Sequence, residues 1–203
     1  MLVYYYSYLF QVFTDIVFYI FIICFSIQSL YYILLYLQSL FWKKKEHAKN
    51  KIPVSVVICA RNEEENLRNN LPDVLQQNYD NFEVVVVNDC SKDNTSLVLD
   101  KFSVEYENLY VTTIKEDKKF SHNKKLALTI GIKAAKHEHI LLTDADCRPV
   151  SKNWISTFAA EFAPDTTFIL GYGGYEKHRG LTNRLIRYDT FFIALQYLGF
   201  AKA

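Results

Sequence analysis

Apolar positions run almost unbroken from Ile16 to Leu37, as IVFYIFIICFSIQSLYYILLYL, 22 residues without a formal charge. A helix crosses the hydrocarbon core with about 20 mostly apolar residues, and its backbone groups pair internally. The run therefore predicts one transmembrane helix. Tyr4, Tyr5, Tyr6 and Tyr8 before it and Trp42 after it suit the two membrane interfaces. Beyond residue 51 the pattern changes. Short apolar, β-branched runs at Val54–Ala60, Phe82–Asn88, Leu109–Ile114, His139–Thr143 and Thr167–Leu170 predict five buried strands. Glu63–Gln77, Asp93–Phe102, Ser121–Lys136 and Ser151–Phe162 read as the intervening helices. Leu67, Leu71 and Leu75, and then Leu126, Ile130 and Ala134, fall at helical spacing. Asp93 and Ser151 are the expected caps of their helices. Pro72 is expected to kink or divide the first of the four. A last stretch, Thr182–Phe200, is helix-like and either packs on the sheet or rests at the membrane surface.

Strands that alternate with helices and lack internal polar alternation predict an α/β fold. Its sheet is mostly parallel with helices on both faces, preceded by one transmembrane helix. The expected division is 1–42 for the membrane segment, 43–51 for a basic linker and 52–203 for the α/β domain. Ligands of such sheets bind beyond the carboxyl ends of the strands, so polar residues there are the functional candidates.

Composition sharpens this division. The chain has 203 residues, a formal charge of +1 and 50% hydrophobic residues. Residues 1–42 hold no Lys or Arg, a single acid (Asp15) and 15 of the 32 aromatic residues. Lys43, Lys44, Lys45, Lys49 and Lys51 follow directly. The positive-inside rule then puts the N-terminus outside and the α/β domain in the cytoplasm. A cleaved signal peptide would need a basic n-region and a small-residue cleavage site, and the sequence offers neither. The near-neutral α/β part disfavours nucleic-acid binding, and the composition excludes disorder and a disulfide-stapled miniprotein. Cys24 lies in the span, no CxxC pair occurs, and Cys59, Cys90 and Cys147 are expected reduced and buried. His122, His137, His139 and His178 share no metal-ligand spacing and read as surface or turn residues.

Three strand ends carry candidate chemistry. Asp144-Ala145-Asp146 closes the fourth strand, and two carboxylates so close gain most from a shared Mg²⁺ or Mn²⁺. The plainer alternative is a solvated acidic turn. Asp89 ends the second strand, where a carboxylate accepts hydrogen bonds from a base N–H or a ribose hydroxyl, or simply caps a turn. Asn62 and Glu63 follow the first strand, and Glu63 also suits a helix N-terminus on charge alone. His122-Asn123-Lys124-Lys125 opens the helix before Asp144, and a cation there, Lys124 or Lys125, reaches a diphosphate or belongs to a solvated helix face. No GxxxxGK[ST] or GxGxxG occurs, which sets aside P-loop and dinucleotide enzymes.

The segments VSVVICARNEEENL, VVVVNDCSKDNTS, NKKLALTIGIKAA and ILLTDADCRP occur in that order. Together they resemble the family 2 glycosyltransferases of GT-A fold, a group that includes cellulose and chitin synthases, over about residues 52–175. The resemblance implies a nucleotide-sugar donor, most often UDP-linked, with Mg²⁺ or Mn²⁺. It implies nucleoside contacts at Ala60, Arg61 and Glu63. The family's Asp-Asp-Gly-Ser motif reads Asn88-Asp89-Cys90-Ser91 here, so its role passes to Asp89 alone. Lys124 matches the lysine of a Gly-Lys-x-x-Ala-Leu-Asn motif whose Gly and Asn positions have changed to Asn123 and Thr129. Asp144 and Asp146 match the DxD motif, Asp144 nearer the ribose and both on the metal.

One departure bears on catalysis. The family's general base is an Asp in a downstream acidic motif. After Asp146 the only acids are Glu161, Asp165, Glu176 and Asp189, none in such a motif. No catalytic base is therefore assigned, and the chain is expected to be the donor-binding half of a truncated or fragmentary domain. The expected activity is metal-assisted sugar transfer to an acceptor hydroxyl at the cytoplasmic membrane face, a lipid-linked or envelope glycan being the acceptor class. The alternative is a non-catalytic, membrane-tethered nucleotide-binding fragment or remnant.

Overall fold

The computed structural model describes residues 2–40, 52–115, 123–163 and 166–202. The linker 43–51, and with it Ser121, His122 and Asp165, lies outside the described residues. The chain forms two compact units, Glu46–Gly171 and Met1–Lys45 with Tyr172–Ala203.

The first unit is built on a parallel sheet of β1 (Val54–Ala60), β2 (Phe82–Asp89), β3 (Leu109–Ile114) and β4 (His139–Asp144), in the order β3-β2-β1-β4. After β3 the chain crosses back to the far side of β1. The order thus reverses between β1 and β4, which opens a crevice at their carboxyl ends. The fifth expected strand is absent. Residues 166–177 join no ladder, and Phe168 and Leu170 are exposed. An apolar run of four residues specifies a strand only where a neighbouring edge offers it partners.

Alternate residues of the strands face opposite sides. Val54, Val56, Ile58, Ala60, Val84 and Val86 form one core with α2 (Glu64–Leu75), α3 (Thr95–Glu105) and α5 (Trp154–Ala159). Leu67, Leu71, Val98, Leu99 and Ile155 are their principal buried contributions. The other face carries α4 (Lys124–Ala134). There Gly131 sits so close that a Cβ would come within 2.5 Å of Val57 Cγ1 and 3.0 Å of Val87 Cγ2. Ala127, one turn earlier, is buried, so small residues set the approach of α4 to the sheet.

Pro72 does not divide α2, which is continuous to Leu75. Four buried side chains (Leu67, Leu71, Val74 and Leu75) hold it across the missing N–H. The cap of α5 also differs from expectation. Ser151 Oγ accepts the Asn153 N–H at 3.2 Å. The N-terminal amides of α5 are satisfied by buried Gln77, whose Oε1 accepts from Trp154 N at 2.9 Å and Ile155 N at 3.3 Å. Gln77 Nε2 donates to the Asp73 and Ser151 carbonyls, both at 2.9 Å. Gln77→Ala removes all four bonds, leaving the Trp154 N–H only its 3.3 Å contact with the Ser151 carbonyl, and is expected to cost about 2 kcal/mol. The readout is a lowered thermal midpoint, with amide exchange quickening first in α5.

At the amino ends of the strands, buried Ser55 donates to Glu83 Oε1 at 2.7 Å. The same oxygen accepts the Lys136 N–H at 2.6 Å, and Ser55 Oγ accepts the His137 N–H at 3.1 Å. This network fastens the end of α4 to β1 and β2. His139, expected at the surface, opens β4 and packs edge-on against the Phe162 ring, centroids 4.7 Å apart.

The second unit contains α1 (Leu2–Leu40) and α6 (Leu181–Lys202). Tyr4–Leu34 of α1 is long and apolar enough to cross a membrane. At about 1.5 Å per residue it exceeds the hydrocarbon thickness of about 30 Å. Tyr32 of α1 meets Phe192 of α6 at 5.7 Å, and Tyr188 stacks on the same ring at 6.0 Å.

Candidate functional site

The carboxyl ends of β1, β2 and β4 gather most of the candidate residues. Strand pairing aligns Cys59 with Asp144 and Ala60 with Asn88. By alternation, Val57, Cys59, Asp144 and Asp89 belong to the face that carries α4. Lys124 is the first residue of α4. Its Nζ donates to Asp144 Oδ1 at 2.6 Å, so the bond joins a helix start to a strand end. Asn123, where the family motif has Gly, has extended backbone and caps α4, its Oδ1 accepting the Leu126 N–H at 2.9 Å.

The hydrogen bond to Asp144 holds the Lys124 ammonium above the usual lysine range, and the charges of Asp144, Cys59 and Asp146 add to this against the effect of burial. Burial pushes the Cys59 thiol up, opposed by Lys124 and assisted by Asp144 and Asp89. Burial also raises Cys147, with Asp146 adding to it. Neither is poised as a thiolate nucleophile. All four cysteines are free, and Cys59, Cys90 and Cys147, expected buried, are not. Cys59, Cys90 and Cys147 lie at strand ends, where the sheet opens to solvent.

The Asp144-Ala145-Asp146 turn is anchored from below. Ala145 is buried in the core, while the acids on either side of it are exposed. The Cys147 N–H donates to the Asp144 carbonyl at 3.1 Å. Asn70 of α2 donates to the Ala145 carbonyl at 3.2 Å, and Arg148 faces Asp73 at 3.9 Å. Sequence reading missed Asn70, because its partner lies 75 residues away. Cys59 was legible in principle, two residues beyond Val57 on the same side of β1.

Asp89 is buried at the end of β2, with the Arg61 guanidinium 4.0 Å away. Asn88, in the place of the motif's first Asp, points to the other side of the sheet. Its Nδ2 donates to Ser96 Oγ at 2.9 Å, and its Oδ1 accepts the Ser91 N–H at 3.3 Å. Cys90 has φ +52°, a conformation in which glycine is at ease and the motif carries one. Asn62 has φ +56°, which asparagine tolerates best among residues with a Cβ.

The loops after β1 and β2 clasp each other. The Asn62 N–H donates to Ser91 Oγ at 3.0 Å, and Asn62 Oδ1 accepts the Lys92 N–H at 2.8 Å. The Glu63 N–H donates to Thr95 Oγ1 at 2.9 Å and the Glu64 N–H to Asp93 Oδ2 at 3.2 Å. Asp93 Oδ1 takes the Thr95 N–H at 3.1 Å. Asp93 therefore serves two helix starts, although the cap position of α3 is Asn94. Its carboxyl is held below the usual range: burial raises it, and the Thr95 and Glu64 hydrogen bonds outweigh that. Glu63 stands at the cap of α2 and accepts from Asn66 Nδ2 at 2.6 Å, within its own helix turn.

A parallel sheet with strand-end carboxylates at its reversal point and four ordered motifs is a specific combination. The family model described as Glycosyl transferase family 2 matches residues 55–201. The chain belongs to this glycosyltransferase family. It is 31% identical over 103 residues to a poly-beta-1,6-N-acetyl-D-glucosamine synthase of Staphylococcus epidermidis, covering 51% of this chain and 24% of that protein. The synthase of Staphylococcus aureus strain COL is 27% identical over 127 residues, covering 58% of this chain and 30% of its own. The chain thus spans between about a quarter and a third of the length of these curated relatives. A mannosyltransferase from Pyrobaculum calidifontis, solved in complex with GDP-Man and Mn²⁺, superposes with a TM-score of 0.58 at 23% identity. That match covers 69% of this chain and 41% of the other, and it shows the GT-A-like fold.

Proposed function

We propose that this glycosyltransferase chain holds a nucleotide-sugar donor at the carboxyl ends of β1, β2 and β4 and takes part in transfer of the sugar to an acceptor hydroxyl. The observation that supports this most is the meeting of Lys124 and Asp144 at 2.6 Å beside Asp146, at the reversal point of the sheet. Ala60, Arg61, Glu63 and Asp89 would bind the nucleoside, Asp144 the ribose side and Lys124 the diphosphate. The names of the staphylococcal relatives make UDP-N-acetylglucosamine the first donor to test, with a lipid-linked or envelope glycan as acceptor class.

Asp144 and Asp146 would hold Mg²⁺ or Mn²⁺. Their chemistry fits, since two exposed carboxylates on one turn offer hard oxygen ligands to a cation that also takes phosphate oxygens and water. Among the described residues no three His, Cys, Asp or Glu side chains converge as a closed cage, so the donor's own oxygens would complete the ligand set. A cation bound there would neutralise charge on a departing diphosphate. Lys124 would add a second positive charge from the start of α4.

The proposed organisation keeps 1–42 as a membrane segment, 43–51 as a basic linker and 52–203 as the transferase domain. α1 would cross the membrane once, and the lysines at 43–45 favour a cytoplasmic domain with the N-terminus outside.

Asp146→Asn is expected to weaken UDP binding in the presence of Mn²⁺ by about 10-fold or more, the scale of a lost charged ligand. Isothermal titration of the full chain in detergent reads this out. Equal binding by parent and variant overturns the metal assignment. A non-catalytic nucleotide-binding role predicts the same binding without turnover. Transfer of a radiolabelled sugar by the chain would refute that alternative.

A further inference from the structure

We infer that Lys124 is a built-in counter-ion of Asp144 that competes with the divalent cation for this carboxylate, so that cation and nucleotide diphosphate bind cooperatively. The inference rests on the donor-site reading above. Its basis is the placement of both partners on fixed elements. Lys124 begins α4, whose backbone is held by the Asn123 cap and by Gly131 against Val57 and Val87. Asp144 ends β4, paired in register with Cys59, and its turn is tied to Asn70. Only the two side chains are free to rearrange.

At 2.6 Å the ammonium occupies Asp144 Oδ1, an oxygen that a cation would otherwise share. A divalent ion beside that ammonium meets like charge, which weakens its hold on Asp144 and on Asp146 two residues on. A diphosphate offers Lys124 other anionic oxygens. Once Lys124 turns to them, Asp144 is released to the cation, and the cation in turn favours the diphosphate. Linkage requires that each ligand raise the affinity of the other by the same factor. The Lys124 and Asp144 side chains are 71% and 53% exposed, so water screens the pair. The effect is therefore a few-fold change.

The test uses the full chain in detergent micelles. Mn²⁺ binding is followed by the electron paramagnetic resonance of the free ion, with and without UDP, and UDP binding by calorimetry, with and without Mn²⁺. Lys124→Met is expected to bind Mn²⁺ alone about two- to five-fold tighter than the parent. It should bind UDP alone more weakly, and UDP should enhance its Mn²⁺ binding less. Lys125→Met removes the same charge one residue along and is expected to match the parent. The inference is overturned if Lys124→Met binds Mn²⁺ alone no tighter, or if Lys125→Met tightens it equally. Loss of Mn²⁺-supported UDP binding in Asp146→Asn, with no Mn²⁺ gain in Lys124→Met, refutes the competition and leaves the donor site standing. If Asp146→Asn binds both ligands like the parent, the donor-site reading fails and the competition with it.

Discussion

Glu83→Ala is expected to lower the stability of the sheet domain by about 2–4 kcal/mol, because it strips a buried acceptor from two donors at once. The carboxylate lies at the amino end of β2, with its side chain 8% exposed. One oxygen accepts both the Ser55 hydroxyl and the Lys136 N–H. The other lies 3.6 Å from Lys136 Nζ. Alanine leaves the buried Ser55 hydroxyl and the partly buried Lys136 N–H without this acceptor and frees the carboxyl end of α4. For a chain of this size the loss corresponds to a fall in thermal midpoint of roughly 5–15 °C, measured by circular dichroism in detergent. Glu83→Gln keeps an oxygen for both donors and loses only the charge, so its cost is expected near 1 kcal/mol. A midpoint for Glu83→Ala within 2 °C of the parent would remove the network from the stability of the fold, on the same scale.

The same site sets a pH dependence. Burial raises the Glu83 carboxyl, but the hydrogen bonds from Ser55 and Lys136 and the nearby positive charge outweigh it, and the net shift is downward. A carboxylate depressed in the folded state stabilises fully above its unfolded pKa of about 4.3 and loses that contribution as pH falls through the folded value. The stability gap between the parent and Glu83→Gln should therefore be constant near pH 7 and close below about pH 4. A gap that widens with acid would reverse the assigned sign.

The four strands were legible because each is an apolar, β-branched run long enough to be buried on both faces. β2 and β4 end one residue later than expected, on Asp89 and Asp144, since strand pairing carries each ladder into the first polar residue. Thr167–Leu170 shows the limit of such reading. Its composition suits a strand, but pairing depends on a neighbouring edge that no local pattern reveals. Long-range capping is hidden for the same reason. Gln77 closes the start of α5 from 77 residues away, whereas the hydroxyl of Ser151, the expected cap, accepts the Asn153 N–H. At the site, the strand ends read from sequence include those of Asp89 and Asp144, whereas the bond between Lys124, at a helix start, and Asp144 was not legible there. Sequence left the two substitutions in the Asp-Asp-Gly-Ser motif without a structural setting, and the structure supplies it. Asn88 faces Ser96 on the far side of the sheet, and Cys90 accepts a left-handed backbone at some conformational cost.

The second large effect is expected at Asp89, where Asp89→Asn should weaken nucleoside binding by about 10- to 100-fold. That is the scale of one or two charge-assisted hydrogen bonds lost to a ligand. Asp89 is buried at the end of β2, on the α4 face, and Arg61 stands 4.0 Å from its Oδ2. The Arg61 side chain is half exposed, so water can solvate it when the charge opposite is removed. Asparagine preserves shape, and the clasp between the loops after β1 and β2 runs through Asn62, Ser91, Lys92 and Asp93. The fold should therefore persist while the binding falls. Two ligands separate this role from that of the acidic turn. Asp89→Asn should weaken uridine and UDP by the same factor, with or without Mn²⁺, because the lost contacts are to the nucleoside. Asp146→Asn should leave uridine unaffected and weaken only UDP in the presence of Mn²⁺. If Asp89→Asn affects UDP and spares uridine, the carboxylate acts on the diphosphate end, and the proposed orientation of the donor across the strand ends must be reversed.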